Sequence, residues 1–399
     1  MMPIMNPSRH ILPIIVISQF FCTSLWFAGN GVMYDLISNF GLDENALSHL
    51  TSSVQFGFII GTLVFALFSI SDRFSPSKVF FVCAILGALF NFGVIGSFNT
   101  YNSLILLRFL TGFFLAGIYP VGMKIAADYF EKGLGKSLGF LVGALVIGTA
   151  FPHLLKDLKG DLPWEVVLIC TSSLALLGGV LMWSLVPDGP FRKASQKISL
   201  RAIPYVFKSS KFRAAAFGYF GHMWELYAFW AFVPFILQLY GELHPEAKLN
   251  IPLLSFLVIG IGSLGCILGG QLAHKKGVKR IAIIALVASG FCCFISPLMF
   301  ALNSPIIFIP FLLFWGVFVI ADSPLFSTLV AQNAPIELRG TALTIVNSIG
   351  FFLTILSIQI LDELRVQFDT PMIFMILGIG PILALIHLMR RKDSKRIER

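Results

Sequence analysis

The sequence predicts an all-α polytopic membrane protein with 12 transmembrane helices arranged in two six-helix, pseudo-symmetric halves. Three observations predict this fold: the composition is strongly apolar, many apolar runs are long enough to cross a bilayer, and basic residues collect in alternate loops. Of the 399 residues, 57% are hydrophobic and 12% are charged, whereas soluble domains carry about 25% charged residues. So little charge cannot cover the surface of a soluble protein, and we therefore expect the lipid bilayer around most of the chain.

The apolar runs give the positions of the predicted spans. A helix needs about 20 apolar residues to cross the hydrocarbon core of a bilayer. The run that begins at Ile11 is longer than the apolar core of a cleaved signal peptide, so we count it as the first span. The predicted spans are residues 11–33, 47–70, 78–98, 103–127, 136–155, 164–186, 213–238, 250–273, 280–301, 304–331, 339–361 and 371–389.

The distribution of Lys and Arg predicts the orientation of these spans. With a cytoplasmic N-terminus and alternating loops, 23 of the 29 basic residues lie on the cytoplasmic side and four lie on the opposite side. Because cytoplasmic loops are enriched in Lys and Arg, we expect both termini in the cytoplasm. The net charge of +9 is therefore attributed to topology and not to nucleic-acid binding. The absence of N-x-S/T sequons favours the inner membrane of a bacterium.

The longest interruption between apolar runs divides the chain into three segments. Residues 187–212 are basic and contain three prolines, which is typical of a cytoplasmic linker. They separate an N-terminal six-helix bundle at residues 1–186 from a C-terminal six-helix bundle at residues 213–399, which ends in a basic cytoplasmic tail.

Two pairs of similar segments indicate that the halves are related. In the fourth predicted span of each half, a glycine is followed eight residues later by a proline, and the loop after the second span of each half carries basic residues. Parallel repeats of this kind are a recurring plan of secondary transporters. The matching segments are 112–120 with 316–324, and 71–78 with 270–280.

These loops resemble the signature G-x-L-A-D-R-x-G-R-K of the major facilitator superfamily, which follows the second and eighth spans in that family. His274 stands where the second copy usually has Asp, and the fourth span resembles the family pattern R-x-x-x-G through Arg108 and Gly112. The antiporter signature of the fifth span is poorly matched, so the direction of transport stays open. The residues that match the loop signature are Asp72, Arg73 and Lys78 in the first copy, and Gly270, Lys275, Gly277, Lys279 and Arg280 in the second.

The resemblance implies a carrier that moves a small solute by alternating access, with the matching loop residues acting in conformational gating. The alternative is that these residues only set the topology. The expected partners are a small-molecule substrate, protons and the lipid bilayer, without nucleic acid, and we expect a monomer.

Glu225 and His222 in the seventh predicted span are the first candidates for proton coupling. Ionisable residues inside a bilayer are costly and therefore suggest function. Glu225 lies near the middle of its span, where burial disfavours the charged form of a carboxyl and favours protonation near neutral pH. The two residues are three apart and share one helix face. The alternative is a buried His–Glu hydrogen bond without a transport role, and a metal site is not predicted because two ligands are too few.

Asp322 in the tenth predicted span is the third candidate for proton coupling. Pro324 lies two residues later and frees a backbone carbonyl, so the polar groups here suggest a cavity wall. The alternatives are a hydrogen bond between helices or contact with water at the cytoplasmic end of the span.

Other polar residues within spans are candidates for substrate binding or charge relay. Arg108 could hold an anionic substrate or influence a carboxylate, and Lys124 could contact substrate, but both could instead extend to the membrane boundary. Each neutral candidate could equally be a contact between helices. The neutral candidates are Asn30, Gln55, Trp26, Tyr227 and Asn347.

No sequence motif indicates an enzyme. The chain has no nucleophile elbow, P-loop, H-E-x-x-H motif or redox cysteine pair. We therefore predict a proton-coupled secondary active transporter that needs no cofactor. The alternative is a sensor or assembly protein that kept this fold without transporting a solute.

Overall fold

The computed structural model describes residues 10–130, 134–192, 203–368 and 370–389. Throughout these ranges the regular elements are helices. Eleven helices in the described ranges are long and apolar enough to cross a membrane. The predicted first span contains a shorter apolar helix, Ile11–Thr23. The chain is therefore a multi-pass helical membrane protein.

The helices before the predicted linker are numbered in chain order. Several are short pieces that follow one another within one predicted span. They are α1 (Ile11–Thr23), α2 (Ala28–Gly31), α3 (Met33–Phe40), α4 (Ala46–Leu67), α5 (Ile70–Arg73), α6 (Pro76–Gly93), α7 (Tyr101–Leu115), α8 (Tyr119–Tyr129), α9 (Leu134–Leu158) and α10 (Glu165–Leu185). We call this set the N-terminal helices.

The helices after residue 203 continue the numbering. The end of the predicted linker is itself helical, because α11 and the beginning of α12 lie within residues 187–212. They are α11 (Ile203–Lys208), α12 (Ser210–Leu243), α13 (Ile251–Gly260), α14 (Gly262–Lys276), α15 (Val278–Ala301), α16 (Pro305–Ala321), α17 (Ser323–Asn333), α18 (Arg339–Gln367) and α19 (Ile379–Met389), with 3₁₀ turns at Ile336–Leu338 and Pro371–Gly378. We call α12–α19 the C-terminal helices.

The structure corrects the first predicted span, residues 11–33, which is not one helix. α1 ends at Thr23, and Phe27 and Val32 have non-helical backbone angles on either side of α2. The helical path then continues through α3 to Phe40, well beyond the predicted end. The break includes Gly29 and Gly31, and glycine has a lower helix propensity than any residue except proline.

The fourth and tenth predicted spans are also broken, each just before a proline. α8 and α17 each carry a proline in the first turn, at Pro120 and Pro324. Proline is favoured in the first turn of a helix because its missing N–H has no helical acceptor there. Asp322 is the residue at which α16 ends and α17 begins.

Two matched close contacts pack the spans in the N-terminal and C-terminal helices. A Cβ atom at Gly112 in α7 would lie 2.0 Å from the carbonyl oxygen of Val54 in α4. A Cβ atom at Gly316 in α16 would lie 2.0 Å from the carbonyl oxygen of Val258 in α13. Only glycine allows helices to approach so closely, which is a common mode of packing in membranes.

The turns that connect the helices lie at two opposite ends of the protein, which we call the linker end and the far end. The linker end contains residues 68–75 and 186–192, and the far end contains residues 41–45 and 244–250. The N-terminal helices meet the C-terminal helices where α4 packs against α18 and α9 packs against α13 and α14.

Hydrogen bonds at the far end join these two sets of helices. Nε2 of Gln359 donates to Oγ of Ser52 at 2.9 Å. Nδ2 of Asn250 donates to Oδ1 of Asp157 at 2.7 Å. Arg365 donates to the carbonyl oxygen of Glu44 at 2.9 Å. The two sets of helices are therefore held together at this end of the membrane.

Candidate functional site

Arg108 donates hydrogen bonds to backbone carbonyls at the break in the first predicted span. Its Nη2 atom donates to the carbonyl oxygens of Trp26 at 2.7 Å and Leu25 at 3.3 Å. Its Nη1 atom donates to Oδ1 of Asn91 at 3.0 Å. Carbonyls at a helix end have no helical donor, so the guanidinium supplies one. Arg108 is buried, and its guanidinium contacts the backbone next to Trp26.

Six aromatic side chains join the N-terminal and C-terminal helices near the middle of the membrane. The rings of Trp26 and Phe58 have centroids 4.8 Å apart, and Phe58 lies 4.5 Å from Phe351 on α18. Tyr227 and Trp230 on α12 lie 5.4 Å apart. The central aromatic cluster consists of Trp26, Phe27, Phe58, Tyr227, Trp230 and Phe351.

Gln55 lies beside this cluster with no hydrogen-bond partner among the described residues. Its side chain is 0% exposed, and neither amide atom is bonded. On α4 it stands one turn from Thr51, which accepts from Asn30 at 2.8 Å, and one turn from Phe58. Thr51 contacts Asn30, and Phe58 contacts Trp26. Because Gln55 lies between Thr51 and Phe58 on the same face of α4, it faces the segment from Trp26 to Asn30. The predicted neutral candidates Asn30, Gln55, Trp26 and Tyr227 therefore come together.

His222 and Asp322 form a buried polar pair between α12 and the break at the start of α17. Nδ1 of His222 lies 2.8 Å from Oδ1 of Asp322, and each side chain is 1% exposed. Nε2 of His222 and both carboxyl oxygens of Asp322 have no hydrogen bond among the described residues, so the 2.8 Å approach is a close polar contact without hydrogen-bond geometry. The pair therefore leaves one nitrogen and two oxygens buried without a hydrogen bond among the described residues.

Glu225 occupies a separate pocket among the C-terminal helices. Its Oε1 atom accepts from Nε1 of Trp315 at 2.8 Å and from Sγ of Cys293 at 3.3 Å, and Oε2 accepts from Oγ of Ser289 at 2.8 Å. The side chain is 1% exposed. Although His222 and Glu225 are three residues apart on α12, they contact different helices, so the alternative of a direct His–Glu hydrogen bond is wrong.

Lys124 lies at the linker end, in contact with the first signature loop. Its Nζ atom is 2.8 Å from Oδ1 of Asp72 and 4.0 Å from Oδ1 of Asp128. Arg192 donates to the carbonyl oxygens of Asp72 at 3.0 Å and Phe74 at 2.8 Å. Lys124 thus belongs with the predicted gating residues and not with the candidates around the aromatic cluster.

The other predicted gating residues are exposed at the linker end. Arg73 and Lys78 flank the first loop. In the second loop, Gly277 has φ of 93°, a backbone conformation that favours glycine. The exposed residues of this second signature segment are Gly270 and Lys275 on α14, Gly277 between the helices, and Lys279 and Arg280 on α15.

The last predicted candidate is Asn347. Asn347 is partly buried on α18, one turn before Phe351. Within the described ranges, no group of three or more His, Cys, Asp and Glu side chains could hold a metal ion.

Sequence reasoning missed the partners that position the candidate residues. Ser289, Cys293 and Ser296 recur at helical spacing on α15, and this polar face was the available signal for the pocket of Glu225. The contribution of Phe351 to the aromatic cluster had no such signal, because phenylalanine is common throughout the chain.

Comparisons with known proteins give the relationships of the chain. A model of the Major Facilitator Superfamily matches residues 15–358. The chain is 26% identical over 296 residues to the uncharacterized protein Cj0987c of Campylobacter jejuni, covering 70% of this chain and 87% of that protein. It is 25% identical over 284 residues to the putative transporter AraJ of Escherichia coli, covering 66% of each chain.

Solved structures have the same fold at low sequence identity. A D-xylose-proton symporter has a TM-score of 0.76 at 17% identity, covering 95% of this chain and 97% of that one. The proton:xylose symporter XylE has a TM-score of 0.73 at 16% identity, covering 94% of each chain. The nucleoside transporter NupG has a TM-score of 0.73 at 15% identity, covering 95% of this chain and all of that one. Identities this low establish the likeness of fold alone.

Proposed function

Since the chain belongs to the major facilitator superfamily, we propose that it is a proton-coupled secondary active transporter that moves a small solute by alternating access. The family consists of transporters, so the chain is a transporter and not an enzyme. Proton coupling and alternating access go beyond this family assignment and are our proposal.

The buried pair of His222 and Asp322 is the observation that carries proton coupling. Burying an ionisable side chain inside the bilayer costs free energy, so the few that occur there are usually paired or functional. His222 and Asp322 contact each other, yet both carboxyl oxygens of Asp322 and Nε2 of His222 have no hydrogen bond among the described residues. Gain or loss of a proton here changes the charge at the point where α16 ends and α17 begins, which biases one arrangement of these helices over another.

Glu225 is the second proton-coupling group in this proposal. It lies one turn along α12 from His222, and its three hydrogen-bond donors hold the carboxyl in a fixed position. The three donors are neutral hydroxyl, thiol and indole groups, and we propose that Glu225 carries a proton in one conformation and releases it in another.

Alternating access is supported by the arrangement of the two sets of helices. We propose two six-helix bundles, residues 1–186 and 213–399, joined by residues 187–212 with both termini in the cytoplasm. The matched contacts at Gly112 and Gly316 support the internal repeat. The hydrogen bonds between the bundles at the far end support a conformation closed on that side. The ion pair of Asp72 with Lys124 lies within the N-terminal helices, and we propose that it positions the first signature loop for a gate at the linker end.

The relatives support the same proposal. The structural neighbours include a proton:xylose symporter, a D-xylose-proton symporter and a nucleoside transporter. The curated relatives belong to bacteria, which supports a bacterial inner membrane for this chain. We propose that the chain functions as a monomer with a small solute and protons as its partners.

Proteoliposomes that contain a pH-sensitive dye test the proposal. We expect the lumenal pH to change when D-xylose or uridine is added to vesicles containing the protein, and not in protein-free vesicles. A protonophore should abolish the signal. Solute flux without any associated proton movement would contradict proton coupling, and binding without flux would favour the alternative, a sensor that kept the transporter fold.

A further inference from the structure

We infer that the C-terminal helices bind one anionic phospholipid at the linker end, in a groove between the second signature segment (residues 270–280) and the end of α17. Lys279 and Arg280 bind the phosphate of the headgroup, and the exposed apolar face of α15 binds an acyl chain. None of the residues that line the groove belongs to the central aromatic cluster. The inference goes beyond the proposed transport function and does not depend on it.

The groove joins basic and apolar side chains in one concave surface. Its volume is about 760 Å³. Lys279 and Arg280 line it in the first turn of α15, beside Ile283 and Ile284 in the next turn, and Leu329 lines it from α17. Sites for small molecules have volumes of about 300–1,000 Å³. The groove is therefore large enough for the headgroup of a phospholipid.

A neighbouring cavity indicates that the groove lies at the level of the lipid headgroups. This cavity has a volume of about 510 Å³, shares Gln332 with the groove, and is lined by Tyr205 and Lys208 just after the predicted linker. Tyr205 is exposed. Tyrosine is enriched at the boundary between the hydrocarbon core and water, and lysine in the cytoplasmic loops beside it. Headgroups, and not only hydrocarbon, therefore adjoin the groove.

The positive charge at the groove has no acidic counterpart among the described residues. Within those ranges, Lys279 and Arg280 form no ion pair, and no acidic side chain lines the groove. The first signature loop differs, because Asp72 pairs there with Lys124. His274 stands at the position of that aspartate in the second copy. The groove therefore favours an anion from outside this part of the chain.

The segments of the chain closest in sequence to the linker end have the wrong charge to occupy the groove. Residues 193–202 contain three basic residues and no acidic one, and residues 390–399 contain six basic and two acidic residues. Because contact between like charges is unfavourable, neither segment complements Lys279 and Arg280. The complementary occupant is an external anion.

An exposed apolar face continues from the groove along α15, which favours a lipid over a soluble anion. Ile284 lines the groove and is itself exposed. Exposed apolar side chains follow it at intervals of three and four residues, which places them on one face of the helix. They are Val287, Phe291, Phe294 and Leu298. Basic pockets between membrane helices bind anionic headgroups, and here an acyl chain can extend along the same helix.

Native mass spectrometry of the full chain in detergent tests the site, because it resolves the number of bound lipid molecules. The probes are dioleoylphosphatidylglycerol, which is anionic, and dioleoylphosphatidylcholine, which has no net charge. We expect one molecule of the anionic lipid to bind more tightly than any molecule of the other. We expect Lys279→Gln/Arg280→Gln to weaken this binding about 25-fold, since each basic residue near an anionic lipid contributes about fivefold in affinity.

Lys275→Gln/Lys276→Gln is the matched control. It removes the same charge from exposed positions on the adjoining helix α14, but neither lysine lines the groove. This variant should largely keep the affinity of the unmodified chain. Equal losses in the two double variants would indicate diffuse attraction to the basic segment and would overturn the site. If Lys279→Gln/Arg280→Gln does not fold, Arg280→Gln alone should weaken binding about fivefold.

A competition experiment distinguishes a lipid from a soluble anion as the ligand. Glycerol 1-phosphate carries the phosphate of the headgroup without acyl chains, and a tenfold excess of it should not displace dioleoylphosphatidylglycerol. Displacement would indicate a soluble-anion site, and equal binding of the two lipids would indicate no preference for charge; either result would overturn the inference. None of these measurements involves solute flux, so their failure leaves the transport function untouched, and absence of flux leaves the lipid site untouched.

Discussion

His222 and Asp322 lie in contact across two helices that are far apart in the sequence, with Nδ1 of the histidine 2.8 Å from Oδ1 of the aspartate. Both side chains are buried, and the aspartate lies at the residue where α16 gives way to α17. Protonation of this pair would therefore change the charge at the break between α16 and α17. Arg108 and Glu225, two further buried charged groups, are held by separate partners.

Removal of one member of this pair should destabilise the protein more than removal of both. His222→Leu leaves Asp322 buried without its partner, and we expect the free energy of unfolding to fall by about 3 kcal/mol. The double variant His222→Leu/Asp322→Leu leaves no uncompensated charge and should lose less. Unfolding midpoints in SDS titrations measure both values, and a double variant that loses the sum of the two single effects would contradict a coupled pair.

Arg108 should not be replaceable by Lys. The guanidinium bonds to two backbone carbonyls and Asn91 at once, which an ammonium group cannot reproduce in the same geometry. We expect Arg108→Lys to lower the unfolding free energy by about 1–3 kcal/mol, because at least one buried polar group loses its partner. Arg192→Lys, at the more exposed linker end, is the comparison. Equal effects of the two substitutions would show that Arg108 is not needed at the break.

Gly112 should tolerate no larger side chain. A Cβ atom there would lie 2.0 Å from the backbone of α4, so Gly112→Ala forces α4 and α7 apart. We expect a loss of about 1–3 kcal/mol in the unfolding free energy. Gly139→Ala, where a Cβ atom meets nothing within 4 Å, is the matched control on α9 and should have little effect. Unchanged stability of Gly112→Ala would contradict the close packing of these helices.

The ion pair at the linker end should survive exchange of its charges. We expect Asp72→Asn and Lys124→Gln each to reduce the transport rate, and the exchanged variant Asp72→Lys/Lys124→Asp to recover part of it. The pair is partly buried, so its contribution to stability is about 1 kcal/mol or less, and the transport rate is the more sensitive measurement. Lys211→Gln, an exposed lysine near the linker end and outside both signature loops, is the control. Failure of the exchanged variant to exceed either single variant would argue against a gate formed by this pair.

The membrane fold could be predicted from the sequence because the bilayer imposes a strong requirement on it. Each span needs a long apolar run, and the basic residues follow the loops. The break after Thr23 escaped prediction because the apolar run continues through it. The backbone there is held by Arg108, which comes from another helix. A hydropathy pattern contains no information on such a tertiary contact.

The chemistry of the candidate site was only partly predictable for the same reason. Glu225, Asp322 and His222 could be identified as buried ionisable residues, since these are rare in apolar runs. Their pairing could not be identified, because helix spacing places His222 beside Glu225 whereas tertiary packing places it against Asp322. The grouping of Gln55 with the aromatic residues of α12 and α18 depends on how helices from both ends of the chain meet.

Comparison of proton-driven uptake with solute exchange tests proton coupling at Asp322 and Glu225 most directly. In proteoliposomes that contain Asp322→Asn or Glu225→Gln, we predict that labelled solute still exchanges across the membrane but no longer accumulates in response to a pH gradient. Ser323→Ala, next to the pair, should keep both activities. Undiminished proton-driven accumulation in both carboxyl variants would contradict the proposed mechanism.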